Sequence, residues 1–355
     1  MNKEIGSIFP LSDSALLKAE SEKTCFKSDR IYYSLCREAL YDIAVSLTDH
    51  NKIVLIPAYT CQTVITPFEE AGWQCEYYSI QRNLRIDIQS LLTALEKFNP
   101  SLIVVHPYFG MDLNDEENET LETIQKGGGK IVLDLTQCVF SKAKYAFASF
   151  VVASYRKWMA IPDGGYLVSL SNMLQIAAPK FENNEFTEYE KAAMYLRGKY
   201  FDNGEQRMKE ISIRLSKYAD CLAESNIAPH RMSQVAYNLF NGEDKERNQH
   251  RRFSNYSYLF ENILESRKIR KVCKDIKEVT TAPLYFTIFV QNRHDLQQQL
   301  AQHSIYAPVI WPVEDVRVLI NEDVRYVYDH LLAIPCDQRY DEIDLQRVIK
   351  IINNY

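Results

Sequence analysis

KIVLDLTQCVFSKAKYAFASFVVASYRK, residues 130 to 157, contains two short apolar runs, Lys130 to Asp134 (KIVLD) and Phe150 to Ser154 (FVVAS). Each is nearly continuous rather than alternating, and each closes on a polar residue. A strand covered on both faces reads this way, because helices pack on either side of a parallel sheet. Working outward, Ile53 to Ile56 (IVLI), Cys75 to Ile80, Leu102 to His106 (LIVVH) and Tyr166 to Leu170 (YLVSL) are runs of the same kind. Helical-period stretches such as Leu91 to Phe98 and Leu121 to Gln125 lie between them and suit crossover helices. Gly127 to Gly129 reads as the turn from such a helix into the strand that ends at Asp134. The expected class is α/β, with a mostly parallel central sheet and flanking helices.

Beyond this core, Gln175 to about Ala228 is rich in helix formers and charged residues and predicts helices leading out of the large domain. A helix (NYSYLFENIL), apolar strands around Ala282 to Val290, a helix near His294 to His303 and a closing helix from Tyr340 to Asn353 predict a smaller α+β domain. The expected division is an N-terminal arm over 1–30, a large α/β domain over 31–235 and a small C-terminal α+β domain over 236–355.

Composition excludes several classes. The 355 residues are 46% hydrophobic and 25% charged, as in ordinary globular proteins. With 41 basic against 47 acidic residues the net charge is −6, which gives the whole molecule no attraction for a phosphate backbone, so no nucleic-acid partner is expected. The eight cysteines form neither a CxxC pair nor a zinc-like cluster with histidine, so they are expected to be reduced thiols and no metal site is expected. No apolar run is long enough to span a bilayer, and the N-terminus lacks a basic segment followed by an apolar stretch. A cytoplasmic location away from membranes is expected. GxGxxG, Walker, HExxH and GxSxG motifs are all missing.

The candidate residues gather at strand ends. In open α/β sheets the carboxyl ends of the strands open into the ligand crevice, so Thr60, His106, Asp134 and Ser154 should collect around one site. Lys157, in SYRKWMAIPDGG, follows a strand and precedes a Pro-Asp-Gly-Gly turn; a lysine desolvated there is a usable nucleophile toward a carbonyl. The competing reading is a surface lysine beside Arg156. Asp134 ends a buried strand, where a carboxylate is costly unless a cation or several donors meet it. A pyridinium nitrogen is one such cation; a helix cap is the alternative. Gln137 lies close enough in sequence to reach a group on the same ring. Ser34, the Cys36-Arg37 amides, Thr60 and Ser154 are candidates for a phosphate cradle, since Leu35 to Ser46 reads as a helix whose N-terminal amides face an anion. His106 either lies against a cofactor or packs as a hydrogen-bonded residue.

With Asp134, Gln137, Ser154 and Lys157 in this order, the sequence resembles the DegT-type nucleotide-sugar aminotransferases, a branch of the fold type I pyridoxal-phosphate (PLP) enzymes. EIGSIF (Glu4 to Phe9), CREAL (Cys36 to Leu40), VLIPAYTCQTVITPFEEAG (Val54 to Gly72), VVHPYFG (Val104 to Gly110), VLDLTQ (Val132 to Gln137), SYRKWMAIPDGG (Ser154 to Gly165), RRFSNYSYL (Arg251 to Leu259), IYAPVIWP (Ile305 to Pro312) and IPCDQRY (Ile334 to Tyr340) carry the likeness. It implies that Lys157 holds PLP as a Schiff base, Asp134 contacts the pyridine nitrogen and Gln137 lies near the ring hydroxyl. It also implies that Ser154 and the backbone at Cys36 and Arg37 hold the phosphate. A homodimer is implied, with the N-terminal segment and the region near Arg231 reaching across.

Three departures stand out. Cys36 replaces a frequent glycine, and Cys61 replaces an aromatic residue that stacks on the cofactor ring, leaving Tyr59 or His106 to supply that face. Pro229-His230-Arg231 stands where many members carry an asparagine. The resulting expectation is an aminotransferase that moves an amino group from glutamate or a similar donor to a keto sugar on a nucleotide, in surface-polysaccharide or antibiotic-sugar synthesis. Arg156, Trp311 and Arg339 are candidates for substrate contact. The alternatives are another PLP reaction, such as dehydration or lyase chemistry, and an inactive binding or regulatory homologue.

Overall fold

The computed structural model describes residues 4–48, 51–170, 175–225 and 227–355. The chain runs α1 (Asp13–Ser21), β1 (Ile31–Tyr33), α2 (Cys36–Ser46), β2 (Ile53–Pro57), α3 (Gln62–Glu70), β3 (Gln74–Tyr78), α4 (Ile88–Phe98), β4 (Leu102–Val105), α5 (Asp115–Lys126), β5 (Ile131–Asp134), β6 (Phe150–Ser154) and β7 (Gly165–Ser169). It continues with α6 (Asn184–Asn203), α7 (Gln206–Ser225), α8 (Gln234–Gly242), α9 (Lys245–Asn262), β8 (Ile269–Lys271), β9 (Tyr285–Val290), α10 (Arg293–Gln302), α11 (Glu322–His330), β10 (Leu331–Pro335) and α12 (Glu342–Asn353). A seven-stranded mixed sheet has the order β1-β7-β6-β5-β4-β2-β3, and a three-stranded sheet the order β10-β9-β8. The expected α/β architecture with a smaller second sheet is what the chain adopts.

Two compact units interleave along the sequence: Ile8–Thr48 with Phe150–Asp244, and Asn2–Ser7 with Asp49–Ser149 and Lys245–Tyr355. In the second unit β2, β3, β4 and β5 are parallel, with Val54 opposite both Cys75 and Leu102, and Ile103 opposite Ile131. Val54 to Ile56, Leu102 to Val105 and Ile131 to Leu133 are almost fully buried, which accounts for the continuous apolar runs. The helices between them start on side-chain caps. Asp87 accepts from the Ser90 amide at α4, and Asn114 and Glu117 form a reciprocal capping box at α5. Gly127 and Gly128 close α5 as expected, with Gly128 in the left-handed region (φ +96°) that glycine adopts freely.

β3 is an outer strand of the large sheet. Tyr77 on it donates through its hydroxyl to Asp315 Oδ2 at 2.9 Å, and the Arg317 guanidinium pairs with both Asp315 and Glu69. The small sheet is antiparallel and packs against α9, α10 and α11. Asn255, buried in α9, donates to the backbone carbonyls of Cys336, Asp337 and Tyr340 and fixes the turn that follows β10.

In the first unit β7 runs antiparallel to both β1 and β6. An apolar run does not reveal its direction, but the connector does: Tyr155 to Gly164 is shorter than the dozen or more residues a parallel crossover needs. α6 and α7 form an antiparallel helical pair, as the composition of 175–228 predicts. Among the described residues all eight cysteines are free thiols, no helix is long and apolar enough to cross a membrane, and no cluster of three metal-ligating side chains exists.

Candidate active site

The predicted residues divide between the units. Thr60, Cys61, His106, Asp134 and Gln137 belong to the second; Cys36, Arg37, Ser154 and Lys157 belong to the first.

In the second unit the chemistry begins at Asp134, at the carboxyl end of β5 and 5% exposed. Its Oδ1 accepts the Thr136 amide at 2.8 Å, a local turn that fixes one oxygen. Its Oδ2 lies 3.6 Å from His106 Nδ1, and His106 Nε2 lies 2.8 Å from Thr60 Oγ1. Thr60, His106 and Asp134 follow β2, β4 and β5, which are neighbours in the sheet, so strand order alone brings the three together. The result is a buried carboxylate oriented by an imidazole that is itself held by a hydroxyl, with lone pairs to spare for a cationic N–H group. Gln137 is buried, and its Oε1 accepts the Phe109 amide at 3.1 Å, which leaves only its Nε2 group to donate elsewhere.

Buried tyrosines stiffen the turn after β2. The Tyr108 hydroxyl donates to the Tyr59 carbonyl and the Tyr59 hydroxyl to the Ile310 carbonyl, both at 2.6 Å. Tyr328 donates to Ala58 O at 2.9 Å and accepts the Thr60 amide at 3.2 Å. Burial holds the Tyr59 and Tyr108 hydroxyls well above their usual pKa, so they stay protonated donors. Trp311 packs on this group, its ring 5.0 Å from Tyr59 and 6.2 Å from His106. Its φ of +59° is in the left-handed region, a conformation that costs a bulky residue on the order of 1–3 kcal/mol. Cys61 sits at the N-cap of α3 and its sulfur accepts the Thr63 hydroxyl at 3.0 Å. The rings around Thr60 and His106 are therefore those of Tyr59, Tyr108 and Trp311.

In the first unit Ser154 ends β6 opposite Gly165 and is buried. The following turn buries Tyr155, Trp158 and Met159 and leaves Lys157 exposed. The desolvated setting expected for this amine is not present in the single chain: its neighbours bury their apolar bulk and project it outward. No hydrogen bond or ion pair joins the Lys157 amine to a described residue. Asp163, which sequence reading missed, is fully buried in the same loop. It accepts the Thr187 hydroxyl at 2.6 Å and the Ser233 amide at 3.1 Å, and burial raises its pKa to about 7. The Pro-Asp-Gly-Gly turn was the only sequence signal for it.

The start of α2 meets this loop at close range. Gly164 donates to the Ser34 carbonyl at 2.7 Å, and a Cβ on Gly165 would stand 2.7 Å from the Cys36 nitrogen. Leu35 occupies the N-cap and supplies no side-chain acceptor. Among the described residues the buried Ser34 hydroxyl makes no hydrogen bond. Glu38, fully buried, accepts the Leu35 and His230 amides at 3.3 and 3.0 Å and faces His230 Nδ1 at 3.3 Å. Its carboxylate raises the His230 pKa, while burial raises its own. The Arg37 side chain donates to Ala223 O at 3.2 Å.

Two candidates for substrate contact have partners within the chain. Arg156 reaches Glu190 and Asp220 at 3.9 and 4.0 Å. Arg339 binds both oxygens of Asp337, at 2.7 and 2.8 Å, and the Ser7 carbonyl at 2.7 Å. Arg231 pairs with Glu182 at 2.8 Å within the chain.

No family model and no curated protein matches the sequence. Solved structures do match over nearly its whole length. An aminotransferase involved in the biosynthesis of pseudaminic acid, PseC from Helicobacter pylori, superposes with a TM-score of 0.71 at 12% identity, covering 99% of each chain. The chain has the sugar-aminotransferase fold. The aminotransferase TlmJ from Streptoalloteichus hindustanus gives 0.70 at 13% identity, covering 99% of this chain and 98% of that one. The Streptococcus pneumoniae putative sugar aminotransferase Spr1654, in its PLP form, gives 0.69 at 12%, with the same coverage. At such identities the sugar-aminotransferase fold is what is shared, and the reaction must be argued from the side chains.

Proposed function

We propose that the chain is a PLP-dependent aminotransferase of the DegT type that transfers an amino group from glutamate or a similar donor to a keto sugar carried on a nucleotide. The observation that carries this reading is the Thr60–His106–Asp134 chain at the carboxyl ends of three adjacent strands. A buried carboxylate kept in place by an imidazole fits a pyridinium nitrogen. The residues of the first unit fit the rest of the group. Gly165 lets the backbone at Cys36 approach, and the orphaned Ser34 hydroxyl has a donor to offer a phosphate.

In this reading Ser154, Ser34, Thr60 and the backbone at Cys36 and Arg37 hold the phosphate. Asp134 and Gln137 hold the ring, and His106 and Cys61 border it. Bound, PLP supplies an aldehyde for the incoming amino group and a ring that withdraws electron density. Lys157 would supply the amine that anchors the cofactor and, once released, would carry the proton between the substrate carbon and the cofactor's C4′ in each half-reaction. Asp163 positions the Lys157 turn through Thr187 and Ser233. The protein is proposed to work as a cytoplasmic homodimer and to supply amino sugars for surface polysaccharide or antibiotic synthesis.

The test is the visible spectrum of the purified protein before and after borohydride reduction, in wild type and Lys157→Ala. A reduced adduct in wild type alone is expected. One observation favours a second reading: Leu35 and Cys36 place side chains at the phosphate end while Lys157 is exposed. A protein that stays colourless when PLP is added would select the binding or regulatory module instead.

A further inference from the structure

Trp311 occupies the left-handed region at φ +59° and stands directly before Pro312. L-residues avoid that region, a bulky aromatic most of all, and a following proline narrows the choice further. The conformation is nevertheless over-determined. Tyr59 holds the preceding carbonyl, Ile310 O, at 2.6 Å, and its ring packs 5.0 Å from the indole. Tyr59 is in turn fixed by Tyr108 through its carbonyl, and Tyr328 grips the residues on either side of it.

The indole packs on the buried Tyr59 and Tyr108 rings without being enclosed. Trp73 and Trp158 are 4% and 1% exposed, as core tryptophans are, while Trp311 is only half-buried. A rigid, partly open indole 6.2 Å from His106 is a built surface whose outer part no residue of the core covers. Strain retained at such a place points to a ligand.

We infer that Trp311 is the platform on which the sugar ring of the amino acceptor stacks. The inference rests on the aminotransferase reading for the identity of the acceptor. Its logic is distance: the indole lies 6.2 Å from His106, whose Nδ1 is 3.6 Å from Asp134 Oδ2. His106 borders the cofactor ring in that reading, so the part of the acceptor that lies on an indole beside His106 is the end next to the cofactor, the end that reacts. That part is the sugar, because the diphosphate and the ribose separate the base from it. The C–H face of a pyranose is weakly positive and meets the negative face of an indole favourably. The platform is a specificity residue and takes no part in proton transfer.

The test uses UDP-glucose and dTDP-glucose as probes, each against its bare nucleoside diphosphate, on protein with and without added PLP. Acrylamide reaches a half-buried tryptophan and not buried ones, so collisional quenching of tryptophan fluorescence reports Trp311, and Trp311→Phe confirms the source by abolishing it. At least one nucleotide sugar should cut the quenching roughly in half or more, as burial in a ligand site requires, while its bare nucleotide does not. Calorimetric affinity for that probe should fall about tenfold in Trp311→Ala and stay within about threefold in Trp311→Phe, which keeps an aromatic face.

Equal protection by the bare nucleotide, or protection by no probe in either form of the protein, overturns the platform. So does an affinity that Trp311→Ala leaves untouched. Failure of the underlying reading looks different. Protection would then persist in protein that forms no borohydride-reducible adduct with PLP.

Discussion

Asp134 keeps its orientation through two contacts of different kinds, a local amide and a distant imidazole. Replacing it by Asn preserves the shape and removes the charge. Asp134→Asn is expected to lower amino-transfer turnover roughly 10²- to 10³-fold, the usual cost of losing one preorganised electrostatic partner, and this is read in a coupled glutamate-dependent assay. His106→Gln should cost less, about 10- to 100-fold, because Asp134 keeps its charge and its bond from the Thr136 amide. At Trp311 two truncations separate strain from packing. Both Trp311→Gly and Trp311→Ala remove the indole, but only glycine relaxes the left-handed backbone, so the Gly variant should be the more stable by about 1 kcal/mol in urea unfolding. Asp163 gives a pH signature. Its folded-state pKa, raised to about 7 by burial, exceeds the unfolded carboxylate value, so between about pH 4 and 7 the folded state binds the extra proton. This group therefore makes wild type lose stability as pH rises through that window, and Asp163→Asn, which keeps the shape, should flatten the fall in a series of thermal melts.

Among the elements, the meeting of β7 with α2 is the most exposed to test. A methyl group on Gly165 would stand 2.7 Å from the Cys36 nitrogen and 3.0 Å from its Cα, atoms of backbone that cannot swing aside. Gly165→Ala is expected to cost about 1–3 kcal/mol in unfolding and to weaken PLP binding in a spectroscopic titration. The inner parallel strands β2, β4 and β5 were legible because burial on both faces keeps each run apolar up to its end. β7 was legible as a strand but not as antiparallel, although the short link from β6 carried that information. α3 was hidden by Pro67 in its interior, and β1 by being only three residues long. The polar strand ends were readable one by one. Their connection from Thr60 through His106 to Asp134 was not, because it depends on β4 lying between β2 and β5, and no local pattern states an order of strands. The partners of Arg156 and Arg339 were hidden for a related reason: a sequence does not say that Glu190 and Asp337 stand beside them. Trp311 could be named, but its backbone conformation comes from Tyr59, far away in the chain.

For the molecule as a whole, the expected homodimer predicts a light-scattering mass about twice that of one chain. The outer strand β3 bears on that number. An uncovered strand edge is a template on which further copies can add without limit. Here Tyr77 hands its hydroxyl to Asp315, and Arg317 spans from Asp315 to Glu69, so a short charged clasp is fastened over one end of that edge. Loosening it would leave catalysis alone and change solubility instead. A chain with Asp315 and Arg317 both replaced by alanine would be expected to pass from discrete particles to open-ended fibres as its concentration rises.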